Sequence, residues 1–165
     1  HSYSSAASDV YKRQGQHGAL KKDLTKISDF EGMFHQFDVV YNAGTSEHVE
    51  PFEDQYTCFK IADMCCKIGG IMIHAVPEIR NRDIRGTWID HCRYYYSETF
   101  FETLIKESNY EYIMSHKSMS SISYTFQKTI NSKFMKDKEL FLSNIAIRNE
   151  NKDFSHDTNY IHQAS

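Results

Sequence analysis

The chain has 165 residues, 40% of them hydrophobic, which is enough for one domain with a sizeable core. A net charge of −3 with 25% charged residues gives no basic footprint for nucleic acid, and no apolar run approaches the roughly 18 residues that cross a bilayer. Cysteines 58, 65, 66 and 92 follow no metal-ligand spacing and read as buried thiols of a reducing, cytoplasmic compartment rather than a disulfide framework.

The first fourteen residues, His1 to Gln14, are small, polar and aperiodic, without the charged start and apolar block of a signal peptide. They read as a non-native, adaptor-like segment, expected to be as open as free peptide, so the domain is placed at 15–129 and a partly disordered extension at 130–165. Asp23-Leu24-Thr25 reads as a strand end or as a surface turn or helix cap, and Phe30 to His35 as a connecting segment. Phe37 to Tyr41 lacks polar alternation and is expected as a central strand covered on both faces. It ends abruptly in Asn42-Ala43-Gly44-Thr45-Ser46, after which Glu47-His48 is expected to open a helix. In the helical stretch Phe52 to Lys67, residues Cys58, Ile61, Ala62, Cys65 and Cys66 form a stripe facing the sheet, with Gly69 ending the helix. Ile71 to Val76 is a buried strand terminated by Pro77, so strand, helix and strand imply a parallel crossover. Ser97 caps a helix with Phe100, Phe101, Leu104 and Ile105 buried. Tyr110 to Met114 and Ile122 to Phe126 make an antiparallel hairpin. Lys133 to Ile147 suggests a helix and a short strand, and Arg148 to Ser165 is expected to be disordered.

Several chemistries are excluded by pattern. Seven glycines (15, 18, 32, 44, 69, 70, 86) include no pair separated by one residue, so neither G-x-G nor a P-loop can be built. Nine histidines lack the i, i+4 pairing of a helical metal site, and no metal is expected. Thr45-Ser46-Glu47 lacks the second glycine of a nucleophile elbow. What remains is the Asn42 to His48 loop at the carboxyl end of a strand, where open α/β sheets collect ligands. His48 is a candidate general base, or else part of the helix start. His74, near the end of the next strand, is a substrate contact or a packed histidine. Arg80, Arg82 and Arg85 read as an anion site or a solvated run, and Trp88 with Tyr94, Tyr95 and Tyr96 as a pocket wall or core.

The strand Phe37-Asp38-Val39-Val40, its Asn42-Ala43-Gly44 exit, the following helix and the Lys67-Ile68-Gly69-Gly70 turn before Ile71 resemble the second half of a class I S-adenosylmethionine-dependent methyltransferase. The turn lacks the family's usual proline. The resemblance implies an incomplete Rossmann-like doubly wound sheet, a three-layer αβα arrangement ending in an antiparallel hairpin. It implies S-adenosylmethionine as cofactor and an unidentified small-molecule acceptor. The cofactor side falls on Asp23 and Leu24 (adenine), Asn42 (methionine portion) and Gly44, the substrate side on Thr45, Glu47 and His74. The family's glycine-rich loop and ribose-holding acid have no place here, so the chain is expected to be the carboxyl-terminal part of such an enzyme and inactive by itself. A non-catalytic interaction domain and a fragment of a nicotinamide-dependent oxidoreductase are the alternatives; the terminal hairpin favours the methyltransferase.

Overall fold

The computed structural model describes residues 20–79, 92–118 and 121–148, and the backbone alone of 154–155. Strand β1 (Phe37–Ala43) leads through a 3-10 turn at Ser46–His48 into helix α1 (Asp54–Cys65) and strand β2 (Cys66–Pro77). β3 (Tyr94–Tyr96), α2 (Glu98–Ser108), β4 (Glu111–Lys117), β5 (Ser121–Gln127), α3 (Lys138–Ser143), β6 (Ile145–Arg148) and β7 (Phe154–Ser155) follow. The main sheet has the order β1-β2-β5-β4, with β1 and β2 parallel and β5 antiparallel to both its neighbours. A small antiparallel sheet, β3-β6-β7, lies beside it. The class is mixed α/β, with the expected parallel pair and hairpin.

Helix α1 ends earlier than its sequence suggests. Cys66 is already extended (φ −75, ψ 133), so the stop is at Cys65 and Gly69 lies inside β2 instead of capping the helix. Gly69 still needs its left-handed backbone (φ +82), because the β1–β2 register jumps from Phe37↔Cys66 to Val39↔Ile71 and the extra residues bulge. At Gly70 a Cβ would sit 2.8 Å from Cys66 Sγ and 3.0 Å from the Lys67 carbonyl. The bulge is tied to the end of β5 by Gly69 N–H donating to the Lys128 carbonyl (2.6 Å) and Lys128 N–H donating to Gly70 (2.9 Å). Helix α2 forms as its sequence predicts: Ser97 Oγ accepts from Phe100 N–H at 3.1 Å, Phe100, Phe101 and Leu104 are buried, and Asn109 closes it in the left-handed region (φ 52). Asp23-Leu24-Thr25, by contrast, is a turn. The Asp23 carboxylate accepts from Thr25 N–H (2.9 Å) and Thr25 Oγ1 (2.7 Å), which matches the turn and not the strand end of its two readings.

The core lies on one face of the sheet. Met72, His74 and Val76 of β2 and Ile122, Tyr124 and Phe126 of β5 alternate inward, covered by Phe59 of α1, Phe100 and Phe101 of α2 and Phe141 of α3. Ring packing is close, with Phe101–Tyr124 centroids 4.8 Å and Tyr110–Phe126 4.9 Å apart. Tyr94 and Tyr96 belong to this core and Tyr95 to a smaller cluster with Ile79. Met135, Phe141 and Ile145 are also in the main core, so the segment beyond Thr129 packs as part of the domain. Phe154–Ser155 pair with β6; the remainder of 149–165, and residues 1–14, lie outside the described residues.

Among the described residues the opposite face is bare. In register across it run Tyr41, Ile73, Thr125 and Met114, and Val39, Tyr41 and Met114 are 54, 64 and 56% exposed. β1, expected to be central, is an edge strand: among the described residues nothing pairs with its outer side. Its apolar run suits burial on both faces, but burial needs neighbours, and the third layer of an αβα arrangement is not among the described residues.

Polar groups clamp the covered side. Lys128 Nζ and Asp63 Oδ2, both buried, are 3.0 Å apart; Lys128 also donates to the Asp63 carbonyl (2.7 Å), and Tyr110 donates its hydroxyl to Asp63 Oδ1 (2.8 Å). Removing one member strands a buried charge. Lys128→Met is therefore expected to destabilise the protein by about 3–5 kcal/mol in urea denaturation, and adding Asp63→Leu should recover part of that loss.

Candidate functional site

Parallel pairing sets Asn42 opposite His74 and Ala43 opposite Ala75 at the carboxyl ends of β1 and β2. Gly44, at φ +63, turns the chain out of the sheet while its N–H still donates to the Ala75 carbonyl (3.0 Å). The chain does not enter a helix at Glu47-His48 as expected. It makes the single 3-10 turn Ser46–His48, and α1 starts only at Asp54.

The turn is held by a continuous polar chain. Asn42 Nδ2 donates to Ser46 Oγ (2.9 Å) and to His74 Nδ1 (3.2 Å), and Asn42 Oδ1 accepts from Ser46 N–H (3.2 Å). The Tyr96 hydroxyl lies 2.6 Å from Gln55 Oε1 and 3.0 Å from Ser46 Oγ. Its one proton serves the shorter bond, so Ser46 donates to Tyr96. Gln55 Nε2 donates to the carbonyls of Ser46 and Val49, each at 2.7 Å. Because Nδ1 of His74 accepts, its proton is on Nε2.

His74 is 2% exposed and stacked between Phe59 (centroids 4.7 Å, 10° interplanar) and Phe126 (5.5 Å, 10°). Desolvation lowers its pKa from 6.5 to about 3, so the ring is neutral at physiological pH. Of the two readings of His74, the geometry matches the packed, hydrogen-bonded histidine. Glu47 is 1% exposed, and among the described residues neither carboxylate oxygen has a hydrogen-bond partner. His48 Nε2 is 3.9 Å from Glu47 Oε1, too far for a hydrogen bond. Burial raises the Glu47 pKa from 4.5 to about 7. Asp23 goes the other way, to about 2, chiefly through its hydrogen bond from the Thr25 hydroxyl.

Three cavities surround the turn. An apolar crevice of about 300 Å³ beside the outer edge of β1 is lined by Leu24, Tyr41, Asn42, Thr45 and His74. A wider cleft of about 670 Å³ is lined by Asp23, Leu24 and Lys26 on one side and His48, Val49 and Glu50 on the other. Gly44 and Glu47 line a third cavity of about 280 Å³, on the side of the turn facing Pro77. The structure thus groups Leu24, Asn42, Thr45 and His74, places Asp23 and Leu24 across from His48, and sets Gly44 with Glu47. Leu24 belongs to two of the cavities.

Sequence reasoning missed Gln55, although a glutamine three residues before Cys58 in the buried stripe is a visible anomaly, since an amide there needs interior partners. Of the two readings of Tyr96, pocket wall or core, the structure matches the core, with its hydroxyl joining the polar chain. Arg80, Arg82, Arg85 and Trp88 lie outside the described residues. Among the described residues no cluster of three or more His, Cys, Asp or Glu side chains is arranged to hold a metal ion. Neither protein-family models nor curated proteins match this sequence.

The two buried groups predict opposite pH dependences. His74 titrates near 3 folded and near 6.5 unfolded, so the unfolded state binds the extra proton between these values. Its contribution is complete above about 6.5 and falls by about 1.4 kcal/mol per unit as pH drops toward 3. His74→Gln should flatten that acid limb when urea melts of variant and parent are compared at pH 4, 5 and 7. Glu47 is raised, so its contribution is complete below about 4.5 and is lost as pH rises through about 7. Glu47→Gln is accordingly expected to gain stability over the parent as pH rises from 5 to 8, by up to about 3 kcal/mol in the same assay.

Proposed function

We propose that this chain is the carboxyl-terminal part of a class I S-adenosylmethionine-dependent methyltransferase domain acting on a small-molecule acceptor. The observation that carries the reading is the β1–α1–β2 unit, a parallel pair whose carboxyl ends present a rigid Asn42–His48 turn, followed by an antiparallel hairpin that closes the sheet. A bare apolar sheet face and the open outer edge of β1 support the same reading, since a doubly wound sheet needs strands and helices there.

S-adenosylmethionine would supply a methyl group on a sulfonium, ready for in-line displacement, so what the protein must provide is position and exclusion of water. The donor set fits the adenine side. The ionised Asp23 carboxylate is an acceptor for an amino group, and Leu24 offers apolar surface in both adjoining cavities. Asn42 contributes differently: both its Nδ2 protons and one Oδ1 lone pair go to Ser46 and His74, so it acts by fixing the turn whose backbone borders the methionine side. His48 lies on the exposed side of the turn, across the cleft from Asp23. The same bare face and edge also favour a second reading, a non-catalytic interaction domain that keeps the sheet without the chemistry.

Calorimetry separates the two. The 165-residue chain should bind S-adenosylmethionine no more tightly than about millimolar, equivalent to roughly −4 kcal/mol, because the glycine-rich loop is not part of it. The product of the gene's upstream-extended reading frame should bind it at micromolar concentrations, and Asn42→Ala in that protein should weaken binding about tenfold while His48→Ala leaves it nearly unchanged. An extended protein that does not bind the cofactor would rule out the methyltransferase reading.

A further inference from the structure

The Asn42–His48 turn is stapled by two buried side chains, Gln55 and Tyr96, neither of which lines any of the three cavities around it. Gln55 is the second residue of α1. Its Nε2 donates to the Ser46 and Val49 carbonyls at 2.7 Å each, so both amide protons are spent on the two ends of one 3-10 turn. Val49 N–H closes the same turn onto the Ser46 carbonyl from the backbone (3.0 Å). The two rotations of a side-chain amide have almost the same shape, so hydrogen-bond partners choose between them. Here the Tyr96 hydroxyl makes the choice by donating to Gln55 Oε1 at 2.6 Å, which leaves the nitrogen facing the turn.

Tyr96 is itself firmly mounted. Its ring packs against Phe59 and Phe100 (centroids 5.7 and 5.1 Å apart), and its carbonyl accepts from Ile79 N–H at 3.0 Å. On β3 it stands opposite Ile145 of β6. The segment beyond Thr129 therefore reaches the turn through one hydroxyl, which also lies 3.0 Å from Ser46 Oγ.

We propose that Gln55 and Tyr96 are positioning residues for ligand binding at this turn. They reach a ligand only through the turn, and they set whether its backbone and Asn42 are already in place when the ligand arrives. Ordering a loop on binding costs affinity, so releasing the staple weakens binding although no direct contact is lost. That the ligand is S-adenosylmethionine rests on the proposed methyltransferase reading; that the turn is held from α1 and β3 does not.

Two variants remove the hydrogen bonds and keep most of the packing. Tyr96→Phe takes away one hydroxyl, and Gln55→Met keeps the side chain's length without a donor or an oxygen. Amide hydrogen exchange of the full chain, followed by NMR with no ligand present, should show His48 and Val49 exchanging at least about tenfold faster in either variant than in the parent. In Tyr96→Phe the Gln55 side-chain amide protons should speed up as well. Lys128→Met is the control: it weakens the distant clamp, and should leave the exchange of His48, Val49 and the Gln55 amide at parental rates. The second measurement is calorimetric titration of S-adenosylmethionine into the upstream-extended protein. Tyr96→Phe and Gln55→Met should each bind it about tenfold more weakly, while Lys128→Met, at a temperature where it is folded, binds it like the parent. Parental exchange at His48 and Val49 in both variants would overturn the proposal, as would an affinity that falls no further in them than in Lys128→Met. An extended parent that does not bind S-adenosylmethionine would instead remove the methyltransferase reading, and the exchange rates by themselves would then decide whether the turn is held by these two residues.

Discussion

The hydrogen bond between Asn42 and His74 joins the two parts of this molecule that matter most, the aromatic core and the turn at the sheet's end. It exists because β1 and β2 pair in parallel with those two residues opposite each other. On the β2 side, His74 is packed between two phenylalanines, one from α1 and one from β5, and burial favours its neutral form at ordinary pH. On the β1 side, Asn42 passes that rigidity to Ser46, and Ser46 to Tyr96 and Gln55. A surface turn is thereby anchored through five side chains to a helix and to strands of both sheets. Preorganisation of this kind is what a binding site needs, because a turn that is already ordered costs less entropy when a ligand arrives.

The same rigidity has an energetic counterpart in Glu47. A turn free to move would rotate its carboxylate toward water. Here the neighbouring residue Ser46 is held at three points, and the glutamate stays interior with no partner. Proteins keep unsatisfied groups of this sort mainly where strain or desolvation is used. The buried Lys128–Asp63–Tyr110 cluster is the contrasting case: also charged and buried, but with its hydrogen bonds satisfied, and so a clamp and not a site.

The sheet itself is asymmetric. One face carries nearly all the large aromatic side chains of the described residues, under three helices. The other displays Val39, Tyr41 and Met114 to solvent, and β1 presents an unpaired edge. An exposed apolar edge strand invites pairing with any available strand, and natural folds usually blunt such an edge with charge, proline or a covering element. Asp38, paired to Lys67 at 2.9 Å, is the main charge along it. This asymmetry is why the apolar run Phe37 to Tyr41 reads as a central strand although it lies at an edge. Its composition reports the surroundings the strand is suited to, and the described residues supply only part of them.

Elements governed by local rules were legible in the sequence. The Ser97 cap and its apolar stripe, the β4–β5 hairpin and the strand ending at Pro77 each follow from a periodicity or a stop signal within a few residues. The Asn42–His48 turn was placed by the same means, because an apolar run ending in small polar residues marks a strand's carboxyl end wherever it occurs. The position of Gly69, in a bulge instead of a cap, was decided by long-range register, and a side-chain hydrogen bond that competes with the backbone ladder decided between the two readings of Asp23, turn and strand end. The site's polar chain was hidden for a related reason. Asn42, Gln55, His74 and Tyr96 are far apart in sequence, and whether a polar side chain is a ligand contact or an interior strut depends on which partner tertiary packing brings to it. Sequence alone therefore determined where this chain turns out of the sheet at the carboxyl end of β1. Only the tertiary structure decided that His74 and Asn42 are consumed in holding that turn while Glu47 is left unsatisfied, because burial and partnership are properties of the packed molecule and not of any residue in it.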